Sequence, residues 1–168
     1  MSVNQPLAIW NAVIATLKAG AQSGQPLALV GFRPTSVFDG IYVDKKDIPP
    51  GAYPAIMAEL DENDEQFFTT GAPPALVSDF KIFLSIQLWE SKPNKGIAGD
   101  STLNPQVFGI LQLESAVKNL LQADMSLGGT LGLQKISFPK TKYFFETFPI
   151  REAKMSVTLR NQLTTTSH

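Results

Sequence analysis

The densest group of side chains able to do chemistry is the acidic run Asp61-Glu62-Asn63-Asp64-Glu65. Clustered carboxylates are the ligands that Ca²⁺ prefers, and a pair of them can act as general acid and base. The spacing, however, does not match the Asp-x-Asp-x-Asp-Gly loop of calcium sites. Charge runs usually lie in water, where a carboxyl gains little of the desolvation that shifts a catalytic pKa. We therefore interpret the run as an exposed hairpin tip without a metal.

Histidine and cysteine, the other common catalytic and metal-binding residues, are almost absent. The chain has no cysteine, and its single histidine is the last residue, His168. Histidine-based catalytic triads and His or Cys metal sites are therefore excluded within the fold. The spacing Gly128-Gly129-x-x-Gly132 matches neither phosphate-loop pattern and follows a predicted helix, so we interpret it as a helix end and a turn. We predict no catalytic residue, no cofactor and no enzyme activity, with a carboxylate-pair hydrolase as an alternative.

Length and charge indicate an ordinary globular protein. The 168 residues suit a single domain, 1–168, which buries roughly 70% of the surface of its unfolded chain. The formal net charge of −1 gives no general attraction to nucleic acid or to an anionic membrane. No apolar run approaches the roughly 20 residues of a membrane span. We expect a soluble product made in the cytoplasm, with no membrane partner and no sequence-specific nucleic acid.

The strongest secondary-structure signal is the stretch Asp79–Glu90. Strict alternation of apolar with mixed side chains, in a segment rich in Phe and Ile, predicts a strand with one buried face. The apolar set is Phe80, Ile82, Leu84, Ile86 and Leu88. Such a pattern is typical of an antiparallel sheet covered on one side.

The remaining elements are arranged around that strand. Two amphipathic helices are predicted, Leu7–Ala21 and Pro105–Ala123, the second with Asn104 as its N-cap. The other predicted strands are Leu27–Phe32, Val37–Val43, Tyr53–Leu60, Phe67–Thr70, Leu131–Phe138, Lys142–Phe148 and Ala153–Leu163. A long polar loop over 91–104 and a frayed tail over 164–168 complete the chain. We predict an α+β fold, a mainly antiparallel sheet flanked by two principal helices.

Charges of opposite sign are separated along the chain. The segment Asp44–Glu65 is acidic, and the C-terminal strands carry Lys135, Lys140, Lys142, Arg151, Lys154 and Arg160. Opposite poles allow copies to pair head to tail, and such contacts can close into rings. The alternative is that the poles meet within one molecule as neighbouring strands. The aromatic strand over 143–148 offers another function, a platform for a small ligand or single-stranded nucleic acid, although strand aromatics are more often core.

The order of elements resembles a known family. The resemblance rests on five elements of this chain. They are the helix Leu7–Ala21, the strand ending in Gln87-Leu88-Trp89, the polar loop after it, the helix Pro105–Ala123, and Phe148-Pro149-Ile150 leading into Ala153–Leu163. Over nearly the whole chain this order is similar to that of the tail terminator proteins of long-tailed bacteriophages, the group of minor tail protein U and related neck proteins.

This resemblance implies a structural protein of the virion tail or neck, with an α+β fold. Such proteins form a hexameric ring on the last ring of the tail tube, stop its growth and present a surface to the head connector. The expected partners are therefore other copies of the chain, the tail tube protein and a connector or neck protein. The residues expected at these contacts are Asp61, Glu62, Asp64, Glu65, Lys92, Lys95, Lys140, Lys142 and Arg151.

Overall fold

A computed structural model describes residues 6–39, 48–68, 75–90, 93–103, 106–128, 131–145 and 149–164. Within them lie four helices: α1 (Pro6–Gly20), α2 (Pro26–Leu29), α3 (Pro93–Ala98) and α4 (Ile110–Gln122). The five strands are β1 (Val37–Asp39), β2 (Ala55–Phe68), β3 (Ala75–Trp89), β4 (Leu133–Phe144) and β5 (Ile150–Thr164). The predicted α+β fold is confirmed.

The strands form one sheet in the order β1-β2-β3-β5-β4. β1 runs parallel to β2, and all other neighbours are antiparallel. β3 lies at the centre, paired along its whole length with β5 and along nearly all of it with β2. Its predicted apolar set, Phe80, Ile82, Leu84, Ile86 and Leu88, is buried throughout. The predicted strand and its buried face are therefore confirmed.

The two long helices cover one face of the sheet. Apolar residues three and four apart place Ile9, Val13 and Leu17 of α1 on one stripe, and all three are buried. The corresponding stripe of α4 is Ile110, Leu113, Val117 and Leu121. Both stripes join the buried residues of β3 and β5 in one core. Each fully buried Leu, Ile or Val contributes about 1.5–3 kcal/mol, so this core dominates folding.

Two elements near the helices differ from the sequence prediction. The predicted strand Leu27–Phe32 contains the short helix α2, whose first residue is Pro26, where a missing N–H costs nothing. A short apolar run does not distinguish strand from helix by periodicity alone. The second helix begins at Ile110, not after Asn104, and Gln112 accepts a hydrogen bond from the Gly109 N–H at 2.8 Å.

The predicted loop over 91–104 is packed against the fold where it is described. It contains α3, and Asp100 exchanges backbone hydrogen bonds with Val107 at 2.8 and 3.1 Å. A Cβ on Gly99, whose φ is +76°, would meet the Val107 carbonyl oxygen at 2.5 Å. Only glycine fits this turn, so the described part of the predicted loop, 93–103, is a compact connection. Lys92 and Asn104 lie outside the described residues, as do residues 165–168 of the predicted tail.

Strands β2 and β4 are longer than predicted. The acidic run Asp61–Glu65 lies inside β2 and is not a hairpin tip, because β2 continues to Phe68 opposite β3. A β-bulge between Leu60 and Glu62 shifts the alternation at this point. Likewise the two strands predicted around Pro139 are one strand, β4, with an irregularity between Ser137 and Lys140. Proline is tolerated there because β4 is an edge strand.

Candidate interaction surface

The second face of the sheet, here called the open face, carries most of the charged side chains of the strands. The register places Glu62 beside Lys81, Asp79 beside Arg160, and Lys142 beside Lys154. Because successive side chains alternate between faces, these residues lie opposite the apolar core set. The open face is therefore where the chain could meet a partner.

One end of the open face is covered. Ile48, Tyr53, Ala55, Met57 and Ile150 form a small second core there, and the rings of Tyr53 and Trp89 lie 5.8 Å apart. Burial raises the pKa of the Tyr53 hydroxyl. The exposed part of the face is thereby confined to the middle and far end of β2, β3, β5 and β4.

Beside this second core lies a buried polar cluster that the sequence did not reveal. The Ser85 hydroxyl donates to the Glu152 carboxylate, and the Gln87 amide donates to Ser85 Oγ at 3.2 Å. All three residues are buried, and Gln87 Oε1 has no hydrogen-bond partner in the described part of the chain. The only signal was the mixed character of the second alternate set of β3, Ser85 and Gln87. The cluster fastens β3 to β5 at the covered end.

The acidic run of β2, Asp61–Glu65, here called the acidic segment, is exposed over its whole length. Lys81 of β3 binds Glu62 at 2.7 Å and Asp64 at 2.8 Å. The hydrogen bonds to Asp64 and then Glu62 raise the pKa of the Lys81 ammonium. No ion pair joins Asp61 or Glu65 to another described residue, and Glu65 accepts one hydrogen bond from Asn63. Glu65 pairs with Ser78 and lies on the same side of the sheet as Phe80, so Asp61 is the carboxylate of the segment that the open face leaves without an ion pair among the described residues.

The acidic and basic poles meet within one molecule. Lys154 of β5 binds Glu59 of β2 at 3.2 Å, and Arg160 of β5 binds Asp79 of β3 through two contacts of 2.8 Å. The hydrogen bond from Arg160 lowers the pKa of the Asp79 carboxyl. The alternative left open by the sequence, poles meeting as neighbouring strands, therefore holds for these pairs. It does not account for Lys140 and Lys142.

Lys140 and Lys142 line a cavity of about 340 Å³ on the open face, here called the lysine pocket. Its other lining residues are Asp61, Phe83, Phe144, Lys154 and Ser156. The Lys154 ammonium lies 4.6 Å from the centre of the Phe83 ring, a distance at which the ring attracts the cation. The sheet thus brings residues of β2, β3, β5 and β4 around one basic hollow.

The other residues predicted at contacts have different surroundings. Lys95 binds Asp100 at 3.1 Å, next to the turn after α3. Hydrogen bonds from Thr102 and from Lys95 lower the pKa of the Asp100 carboxyl to about 2. Arg151 is buried, with its guanidinium 5.6 Å from the Phe145 ring. Burial does not suit a surface contact, so Arg151 is an unsuitable candidate.

In the described part of the aromatic strand, 143–145, the three rings do not share one face, although those of Tyr143 and Phe145 lie 6.2 Å apart. Tyr143 pairs with Ala153 and Phe144 with Glu152, so the two rings point to opposite faces of the sheet. The Tyr143 hydroxyl donates to buried Glu114 of α4 at 2.6 Å, and Lys118 binds the same carboxylate at 2.6 Å. The hydrogen bond to Glu114 raises the pKa of Tyr143 to about 12. Tyr143 thus fastens β4 to α4.

Among the described residues no group of three or more His, Cys, Asp or Glu side chains is placed to hold a metal ion. In the same part of the chain, no helix has the length and apolar character needed to span a membrane.

Comparison with known proteins identifies no family for this chain. No protein-family model matches this chain, and no curated protein matches it. Among solved structures, it is similar to a chain from the virion of a native gene transfer agent (GTA) particle. The two are 20% identical over 92% of this chain and 95% of that chain, with a TM-score of 0.47. A likeness of this size does not identify what this chain does.

Proposed function

We propose that this chain is a structural protein of a bacteriophage tail or neck, a tail terminator without enzyme activity. In this role it forms a hexameric ring that caps the tail tube and joins it to the head connector. The proposal rests on the order of elements from α1 through β3 and α4 to β5, which resembles that family. The observation that supports it best is the open face, where Asp61 of β2 and Lys140 and Lys142 of β4 line one pocket without an ion pair to another described residue.

Unpaired charges of both signs suit association between copies. The formal net charge is only −1, so a copy does not strongly repel another copy. The acidic segment lies on β2, and the lysine pocket extends from Asp61 of that segment across β3 and β5 to Lys140 and Lys142 of β4. A contact between two different patches is heterologous, and heterologous contacts close into rings when the rotation permits.

The test is the mass of the protein in solution over a concentration series, with negative-stain images of the same samples. We expect rings of six subunits, formed alone or after addition of purified tail tubes. Tubes that continue to lengthen in the presence of the protein, together with a strict monomer in both conditions, would contradict the proposal.

A second candidate function is favoured by the composition of the lysine pocket. Two aromatic rings, Phe83 and Phe144, lie among Lys140, Lys142 and Lys154. Aromatic rings with flanking cations are typical of sites for single-stranded nucleic acid, and such binding weakens steeply with salt. Asp61 in the lining and Glu59 on Lys154 oppose a phosphate backbone, so we rank this function second. Fluorescence anisotropy with a labelled oligonucleotide, in low and high salt, tests it.

A further inference from the structure

We infer that the lysine pocket is a binding site for a phosphate group, carried by a small anion such as inorganic phosphate or pyrophosphate. This inference goes beyond the proposed function, because it assigns a ligand to a single molecule and needs no second copy. The groups that hold the phosphate oxygens are the ammonium groups of Lys140, Lys142 and Lys154 and the hydroxyl of Ser156. The cavity of about 340 Å³ is within the roughly 300–1,000 Å³ that small-molecule sites occupy.

The strand register sets these four side chains at the corners of one small rectangle. Lys140 of β4 stands opposite Ser156 of β5, and Lys142 stands opposite Lys154. Side chains directly opposite each other start about 5 Å apart, and side chains two residues apart on one strand start about 7 Å apart. A lysine side chain is long enough to reach across such a rectangle. All four side chains can therefore meet on one phosphate group.

Two of the cations stand directly opposite each other. Like charges in this arrangement destabilise a sheet, and Lys142 and Lys154 are such a pair. Lysines on an edge strand commonly prevent pairing with other chains, which explains Lys140 and Lys142 on β4. It does not explain Lys154, because β5 is paired on both sides. An anion bound between the two ammonium groups removes their repulsion.

Lys154 is held in place before a ligand arrives. Its ammonium binds Glu59 at 3.2 Å and lies 4.6 Å from the centre of the Phe83 ring. A side chain that is already fixed loses less conformational freedom on binding. Lys140 and Lys142 form no ion pair with any other described residue, so their charges are available to an anion.

The carboxylates near the pocket limit which anion fits. Asp61 belongs to the lining, and Glu59 compensates part of the charge of Lys154. Positive charge still prevails, because the lining contains three lysines and one carboxylate. Both carboxylates belong to β2, on the side of the pocket away from the β4 lysines. A compact anion beside β4 avoids them, whereas an extended phosphate backbone across the sheet does not.

Isothermal titration calorimetry with inorganic pyrophosphate at low salt tests the site. We expect saturable binding by the full chain. Lys142→Gln should weaken this binding about tenfold, which corresponds to about 1.4 kcal/mol, because one of the cations is removed. The matched control is Lys135→Gln, an exposed lysine of the same strand outside the pocket lining, which should leave the affinity unchanged.

A second pair of variants should act in the opposite direction. Asp61→Asn removes the carboxylate from the lining, so binding should strengthen several-fold. The control, Glu65→Gln, removes the same charge from the same strand. Glu65 pairs with Ser78 and lies on the other face of the sheet, so the affinity should not change. An attraction that depended only on net charge would respond equally to both members of each pair.

The outcomes separate this inference from both proposed functions. Absence of pyrophosphate binding by the wild type, or equal losses in Lys142→Gln and Lys135→Gln, would overturn the inference. An oligonucleotide that binds through Lys142 while pyrophosphate neither binds nor competes would assign the pocket to nucleic acid and overturn it as well. Pyrophosphate that binds and displaces the oligonucleotide would support it. Pyrophosphate binding by a protein that never forms rings on tail tubes would support the inference and contradict the terminator role.

Discussion

The two faces of the sheet are built from the same strands but by different rules. On the face beneath α1 and α4, β3 and β5 contribute only apolar side chains between Phe80 and Leu88 and between Ala153 and Leu159. On the open face, the residues between them are polar apart from Phe83, and the ion pairs of Lys81, Lys154 and Arg160 join neighbouring strands at 2.7–3.2 Å. Burial of apolar area stabilises the first face, while exposed ion pairs contribute little to the second. The comparison suggests that stability belongs to one face and interaction to the other.

The difference in stabilising effect between the two faces can be tested most directly on β3, where neighbouring residues point to opposite faces. Leu84→Ala should lower the free energy of unfolding by about 2–5 kcal/mol, because Leu84 is fully buried and a cavity remains. Phe83→Ala, on the open face, should cost only about 1–2 kcal/mol despite its larger ring, because Phe83 is partly exposed. Urea denaturation of both variants measures the difference. Equal losses would show that the open face is also a stabilising surface.

The contact between α4 and β4 should have an intermediate effect. Glu114→Gln should lower the free energy of unfolding by about 1–3 kcal/mol, because Lys118 and Tyr143 both bind the buried carboxylate. Burial opposes ionisation of Glu114, but these hydrogen bonds outweigh it, and its pKa lies below the usual 4.5.

The lowered pKa fixes the pH dependence of this contact. Its contribution is present above the ordinary Glu pKa and is lost as pH falls through the folded-state value. The difference between wild type and Glu114→Gln should therefore shrink as the pH falls below the ordinary 4.5 and through the lower folded-state pKa. Tyr143→Phe, which removes one of the hydrogen bonds, is the milder control. A difference that does not change with pH would contradict this account.

The smallest effect is expected at the open-face ion pairs. Lys81→Gln should leave the denaturation midpoint nearly unchanged, since Lys81 is partly exposed and its two carboxylates are exposed to water and salt. Any loss should shrink further in high salt, which screens the pairs. Lys135→Gln, at an exposed lysine of β4, is the control for removing a positive charge. A loss as large as that of Glu114→Gln would mean that the acidic segment stabilises the fold.

The parts of the fold that local pattern determines were predictable. Alternation along Phe80–Leu88 identified β3 and its buried side, and the stripe of α1 identified the first helix. The acidic segment was placed in a turn because charge usually indicates solvent. Beyond Ala58, however, β2 pairs only with β3 among the described strands, and a strand with one open side can be charged and still pair on its inner side. α2 was missed because four residues are too few to show a period.

The candidate interaction surface was only half predictable, for a reason of topology. Lys140 and Lys142 were chosen for charge alone, while their neighbours in the pocket come from other strands. Phe83 and Lys154 join them because β5 lies between β3 and β4 in the sheet, an order that no local pattern contains. Likewise the burial of Arg151 depends on the strand beside it and on packing, and a charge count does not include either.

The bulge between Leu60 and Glu62 has a consequence for changes in chain length. Two residues of β2 stand there opposite one step of β3, since Leu60 pairs with Ile82 and Glu62 with Lys81. A chain without Asp61 would therefore keep every later residue of β2 on its present face, because Glu62 would simply follow Leu60. Deletion of a residue elsewhere in this strand would move every later side chain of β2 to the opposite face of the sheet. Asp61 is thus the position at which evolution can shorten β2 by one residue while the later side chains keep their buried or open face.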